Sequence, residues 1–188
     1  MSTATRVTTA DELLRMPDDG YRYDLIDGEL RKMSPPGSAH GFVAMEVAMR
    51  LVDHVRQHQL GQVFAAETGF RVAQNPDTVL APDASFVRKE RIAVHGITEE
   101  YFPEAPALVV EVVSPGDTAD EVDGKMRRWF AAGVELGWVV YPKRHTITVY
   151  RGLGDIRVLK PTDVLDGGAV VPGFTCSVGD LFAHLGSK

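Results

Sequence analysis

Cysteine is nearly missing from this sequence: Cys176 stands alone in 188 residues. One cysteine closes no disulfide framework and builds no cysteine-rich zinc site. The sequence has no apolar run of membrane-spanning length, and no membrane association is expected. Residues 1–16, "MSTATRVTTADELLRM", contain no apolar stretch of the kind a signal peptide needs. These absences together predict a cytoplasmic protein. Positive charge is in deficit, with 20 Lys and Arg against 26 Asp and Glu and a net charge of −6. The chain as a whole therefore does not attract nucleic acid, although a local basic groove remains open to it. Aromatic residues make up only 8% and form no regular series, which argues against a stacking platform for single strands.

Hydrophobic residues at 44% are enough for a core of normal size. The length predicts one domain over residues 1–188, and no internal repeat divides it. Residues 9–16 open with a capping pattern and predict a short helix. "YRYDLIDGELRKM", residues 21–33, places two strand-like runs around Asp27-Gly28 and predicts a hairpin. Helical spacing of Val43, Val47, Leu51 and Val55 predicts a long helix over residues 39–58, ended by Gly61. "QVFAAE" and "GFRVA" read as two short strands turning near Thr68-Gly69, and residues 84–88 as another. Residues 89–106 read as a surface excursion with one helical turn. "LVVEVVS", residues 108–114, is an apolar strand. Thr118 and Glu121 form a capping box for a helix over residues 119–132, with Val122, Met126, Trp129 and Phe130 on its apolar face. "LGWVVYP" is a second buried strand. "TITVYR" alternates and predicts one wet face; "DIRVLK", "AVVPGF" and a short helix near residues 178–185 follow. A strand, helix and strand over residues 108–141 suggest a βαβ unit. The fold class is α/β, a central mixed sheet flanked by helices with an N-terminal antiparallel hairpin and further C-terminal strands.

Two acids stand out. Glu111 interrupts the apolar run, where an unpaired charge would cost several kcal/mol. Asp83 follows Pro82 at the start of a strand. Each reading has a plainer rival: a Pro-Asp turn for Asp83, a buried salt bridge for Glu111. Paired carboxylates on neighbouring strands suit a hard cation such as Mg²⁺ or Mn²⁺, which activates water and offsets charge on a phosphoryl oxygen. Lys125 borders the apolar face of the following helix, from which its ammonium can point back toward Glu111 and stabilise developing charge, or snorkel to solvent. Gly124 beside it either lets the backbone approach the sheet or has no such purpose.

"PDASFV", "VEVVSP", a helix bearing a lysine and "GVELGWVVYP" resemble, in this order, the PD-(D/E)XK nuclease superfamily. Within it the chain is similar to the Uma-two-type endonuclease family, whose usual order "YRYDLIDGEL", "MSPPGSAH" and "VVPGF" also match. The resemblance implies a restriction-endonuclease-like fold and Mg²⁺-dependent hydrolysis of phosphodiesters, usually in DNA, by a homodimer. It makes Asp83 the motif aspartate and Glu111 the motif acid, both metal ligands. The superfamily lysine sits two residues after the acid. Here that position is Val113, so the resemblance implies a migrated lysine, Lys125, as the third catalytic residue. A catalytically silent module that binds nucleic acid or protein is the competing reading, favoured by the net charge and the displaced lysine.

Other residues are weaker candidates. His54 and His58 have a metal-binding spacing without an evident third ligand. Glu46 either pairs with Arg50 or adds a metal ligand. His40 contacts a phosphate, assists proton transfer, or is an exposed loop residue. Glu67 ends a strand within possible reach of the site. "RKER" (88–91) and "KMRR" (125–128) are the densest basic runs and the expected phosphate contacts.

Overall fold

The computed structural model describes residues 8–185. Residues 1–7 of the polar opening segment lie outside them. Thr9 caps α1 (Ala10–Leu14), exchanging hydrogen bonds with Glu12 as a capping box does. The hairpin follows as β1 (Arg22–Ile26) and β2 (Glu29–Met33). Its two-residue turn puts Asp27 at φ 52° and Gly28 at φ 77°, the twist that a tight hairpin requires. Then come α2 (Ser38–Gln57), β3 (Gly61–Ala65), β4 (Phe70–Ala73), β5 (Thr78–Leu80), β6 (Ala84–Arg88), α3 (Lys89–His95) and β7 (Leu108–Val112). The chain continues through α4 (Ala119–Ala131), β8 (Leu136–Tyr141), β9 (Thr146–Gly152), β10 (Asp155–Leu159), β11 (Val164–Asp166), β12 (Thr175–Ser177) and a 3₁₀ turn at Gly179–Phe182.

The central sheet has the order β10-β9-β8-β7-β6-β3. Only β7 and β8 run parallel, joined through α4 as the βαβ pattern anticipates. A second, antiparallel sheet has the order β2-β1-β5-β4. Side chains alternate across the central sheet. Leu108, Val110 and Val112 of β7 join Val43, Val47, Leu51 and Val55 of α2 in one core. Val109 joins Met126 and Trp129 of α4, with Phe70 and Leu80 of the second sheet, in the other. Glu111 shares Val109's parity and therefore faces α4.

Several expectations change. "QVFAAE" and "GFRVA" do not pair with each other: β3 joins β6, while β4 joins β5 in the other sheet. The three-residue β5 escapes periodicity because turns and Pro82 bound it closely. Residues 89–106 are not purely a surface excursion. They hold the two-turn α3, then return to the core at Phe102 and Ala105. β9 has no wet face over residues 147–150, which are all buried. "AVVPGF" forms turns rather than a strand, and its Val171 and Phe174 cap the first core.

Candidate active site

β6 and β7 pair antiparallel with Ala84 opposite Val110. One step along, Asp83 falls at the same end of the strand pair as Glu111. The strands lock there through Asp83 itself: its N–H donates to the Val110 carbonyl at 3.0 Å, and the Val112 N–H donates to its Oδ2 at 2.7 Å. α4 then lies across the face that carries Glu111. Lys125 is one turn before Trp129, so both reach the same acid. Lys125 Nζ donates to Glu111 Oε2 at 2.8 Å, and the Trp129 indole donates to Oε1 at 2.7 Å. The three residues Asp83, Glu111 and Lys125 are thus brought together.

Burial pushes the Glu111 carboxyl up to about 7, with Asp83 adding to the rise and Lys125 opposing it. Two donors on its two oxygens fit the ionised acid, which accepts only. Burial pulls Lys125 down, but Glu111, Asp24 and Asp83 outweigh it and hold the amine above its usual range. His40, in the first turn of α2, places Nε2 at 3.2 Å from Asp83 Oδ2. Burial lowers its pKa, and the Asp83 contact more than reverses this. His40 is not an exposed loop histidine: its Nδ1 is buried without a partner among the described residues.

Asp24 was not singled out from the sequence. It is 6% exposed on β1, and the Ala81 N–H donates to its Oδ1 at 3.3 Å. Its pKa is raised by burial, against the pull of Lys125. The signal was present in "YDLID", an acid inside a strand flanked by apolar residues, as at Glu111. Trp129 was read as core alone, and its indole N–H gave no sequence sign of its partner.

Other candidates stand apart. Glu46 pairs with Arg50, as the simpler reading held. Glu67 lies in a turn at φ 80° with an exposed side chain, 3.5 Å from Arg22. His54 donates to the Pro172 carbonyl, and its ring lies tilted by 40° against that of His58. The basic runs are largely spent within the protein. Arg88 pairs with Glu135, Arg91 with Glu104 and Arg127 with Asp123. Gly124 makes no close approach to the sheet: a Cβ there would meet only Arg128 Nη1, at 3.6 Å.

The Uma2 family model, described as "Putative restriction endonuclease", matches residues 10–179. The chain belongs to the Uma2 family. A solved structure described as a putative nuclease belonging to DUF820, from Anabaena variabilis, superposes with a TM-score of 0.80 at 23% identity. That match covers 93% of this chain and 97% of that one, and shows a shared fold. No functionally curated protein matches. Membership in Uma2 supports a nuclease-like function. The donor set suits Mg²⁺ in its chemistry: hard carboxylate oxygens, with Asp83 Oδ1 free of hydrogen bonds among the described residues. Among those residues no three His, Cys, Asp or Glu side chains form a ligand cluster, but Mg²⁺ keeps several waters and takes as few as one or two carboxylates. No helix among the described residues is long and apolar enough to cross a membrane.

Proposed function

We propose that this Uma2 protein is a Mg²⁺-dependent endonuclease that hydrolyses phosphodiester bonds in DNA. One observation carries the reading: an ammonium from α4 lies 2.8 Å from the acid of β7, beside the aspartate at the start of β6. Asp83 and Glu111 would hold the Mg²⁺, which when bound supplies an activated water and positive charge for the phosphoryl oxygens. Glu111 fixes Lys125 and orients it through the charge-assisted hydrogen bond. Lys125 offers its charge to the pentacoordinate phosphoryl group as negative charge builds on its oxygens. Asp83 ties β6 to β7 through the Val112 amide and so holds the two acids in register. His40 Nε2, beside Asp83 Oδ2, is positioned to hold a proton at that oxygen's edge of the site. On the α4 side Trp129 is fully buried, and exclusion of water around its indole strengthens its bond to Glu111.

The test is cleavage of supercoiled plasmid with Mg²⁺, with Mn²⁺ and with EDTA. Asp83→Asn is expected to abolish cleavage. Lys125→Met is expected to reduce kcat by about 100- to 1000-fold, the range for losing one transition-state charge partner. Metal-independent cleavage, or a fully active Lys125→Met, would refute the proposal.

A homodimer is part of the same proposal. The outer strand β10 leaves Ile156 and Val158 about half exposed, and an open strand edge pairs readily with a second copy. Two-fold pairing is the commonest arrangement of soluble homo-oligomers.

A further inference from the structure

His40 stands on the core-facing side of α2, one turn before Val43 and Ala44 and two before Val47, all of them buried. Its own side chain is only 10% exposed. Packing alone favours an apolar residue at such a place, yet an imidazole is there. Its Nδ1 is buried and meets no hydrogen-bond partner among the described residues, which costs stability. Core packing therefore does not account for the ring. Its other nitrogen has a neighbour: Nε2 stands 3.2 Å from Asp83 Oδ2. The Val112 N–H donates to the same oxygen at 2.7 Å. Both contacts fall on one oxygen of Asp83, and none falls on Oδ1. At Glu111 both oxygens are taken, Oε1 by the Trp129 indole and Oε2 by Lys125. Between the two acids, Asp83 Oδ1 is the carboxylate oxygen that no donor engages among the described residues, and it is not sealed from solvent.

We infer that His40 is a positioning residue: through Nε2 it pins Asp83 Oδ2, and so turns Oδ1 outward as the carboxylate oxygen that receives a divalent cation. The terminal torsion of an aspartate is broad and close to two-fold, so a carboxylate held loosely exchanges its two oxygens. Each oxygen of an ionised carboxyl accepts about two hydrogen bonds. The Val112 amide from β7 and the imidazole from α2 together fill Oδ2 and leave the capacity of Oδ1 for a ligand. Nε2 has to carry a proton for this. The neutral ring protonated at Nε2 and the imidazolium both supply it, so the device does not depend on the charge of the ring. The opposite tautomer would aim a lone pair at the carboxylate and bury an orphaned N–H. His40 is not itself offered as a ligand, because Nε2 is spent on Asp83 and Nδ1 is sealed. The inference rests on the nuclease reading only in taking a divalent cation as the ligand of Asp83.

The experiment is calorimetric titration of Mn²⁺ into the full chain at pH 8 without nucleic acid, with two amide variants. The amide nitrogen of a glutamine reaches the place of an imidazole Nε2, whereas that of an asparagine reaches only the place of Nδ1. His40→Asn is expected to bind Mn²⁺ about 10- to 100-fold more weakly than the wild type, the range for losing a hydrogen bond behind a metal ligand. His40→Gln is expected to recover most of that loss. Wild-type affinity in His40→Asn overturns the inference. Equal loss in both variants overturns it too, since a direct ligand would behave that way. A second readout needs no variant: the imidazole nitrogen resonances of the wild type, with and without Mg²⁺. His40 Nε2 is expected to carry its proton in both states. An unprotonated Nε2, or one that gives up its proton when Mg²⁺ is added, overturns the inference even where His40→Asn fails to fold. None of these measurements involves cleavage. A protein that shows the split between glutamine and asparagine yet cuts no DNA would refute the nuclease reading alone. An active metal-dependent nuclease in which glutamine restores nothing would refute this inference alone.

Discussion

Glu111 is tolerated in a buried strand because two donors from α4 meet its two oxygens. Removing one member of such a set leaves the others stranded. Glu111→Leu should cost about 3 kcal/mol, since it leaves the Trp129 N–H buried without an acceptor and the part-buried Lys125 ammonium without its counter-ion. Combining it with Lys125→Met should recover most of that loss, because apolar replacement of both partners is often close to neutral. Urea unfolding of the two single variants and the double variant measures this coupling. Asp77 is a second buried acid with a different task. It accepts from the Ala10 N–H at 2.8 Å and from Arg71 at 2.9 Å, pinning α1 to the second sheet. Burial pushes its pKa up, but the Ala10 amide and Arg71 outweigh burial and hold it below the usual value. A carboxyl whose folded pKa is depressed stabilises fully above its unfolded value and loses that contribution as pH falls through the folded one. Asp77→Asn should therefore cost about 2 kcal/mol at neutral pH. The gap to the wild type should hold down to about pH 4, near the unfolded aspartate value, and close below it. Thermal melts across pH 2–7 check both the size and the direction.

At the scale of elements, α4 sets the site. Its capping box at Thr118 starts the helix, and Met126 and Trp129 fix its rotation by full burial. That rotation is what aims Lys125 at β7. Two glycines near it behave oppositely. Gly124 has room for a Cβ, so Gly124→Ala should stabilise by about 0.5–1 kcal/mol through helix propensity. Gly137 on β8 has none: a Cβ there would stand 2.2 Å from Met126 Cε. Gly137→Ala should cost about 1 kcal/mol by overpacking, because the fully buried Met126 must change rotamer to make room. Differential scanning calorimetry separates the two positions. A Gly137→Ala variant as stable as the wild type would show that Met126 repacks freely.

At the scale of the whole molecule, the central sheet is packed by α2 on one face and by α4 with the second sheet on the other. The candidate site lies where these layers meet, drawing Asp24 from one sheet, Asp83 and Glu111 from the other, and His40 and Lys125 from the two helices. Sedimentation at micromolar concentration is expected to give twice the 20.6 kDa chain mass. Val158→Lys, on the outward edge of β10, is expected to shift the population to monomer while the fold survives, since like charges facing each other across a two-fold contact repel. Persistence of the dimer would move the contact elsewhere.

Local chemistry made much of this legible in advance. The capping boxes at Thr9 and Thr118, the Asp27-Gly28 turn and the apolar spacing of α2 and α4 act within a few residues, and the elements appear where those signals fall. Glu111 was conspicuous because a charge in an apolar strand contradicts its surroundings, and Asp83 because it opens the neighbouring strand. Which strands pair is a long-range matter. β3 and β4 are adjacent in the chain but enter different sheets, and no pattern within either strand records its partner. The same limit hid Asp24, whose side chain accepts from Ala81, 57 residues on, and is buried only once the chain has packed. A residue's own neighbours determine its element; its charge environment is decided by chain segments far away in sequence, because burial and Coulomb attraction depend on distance in space.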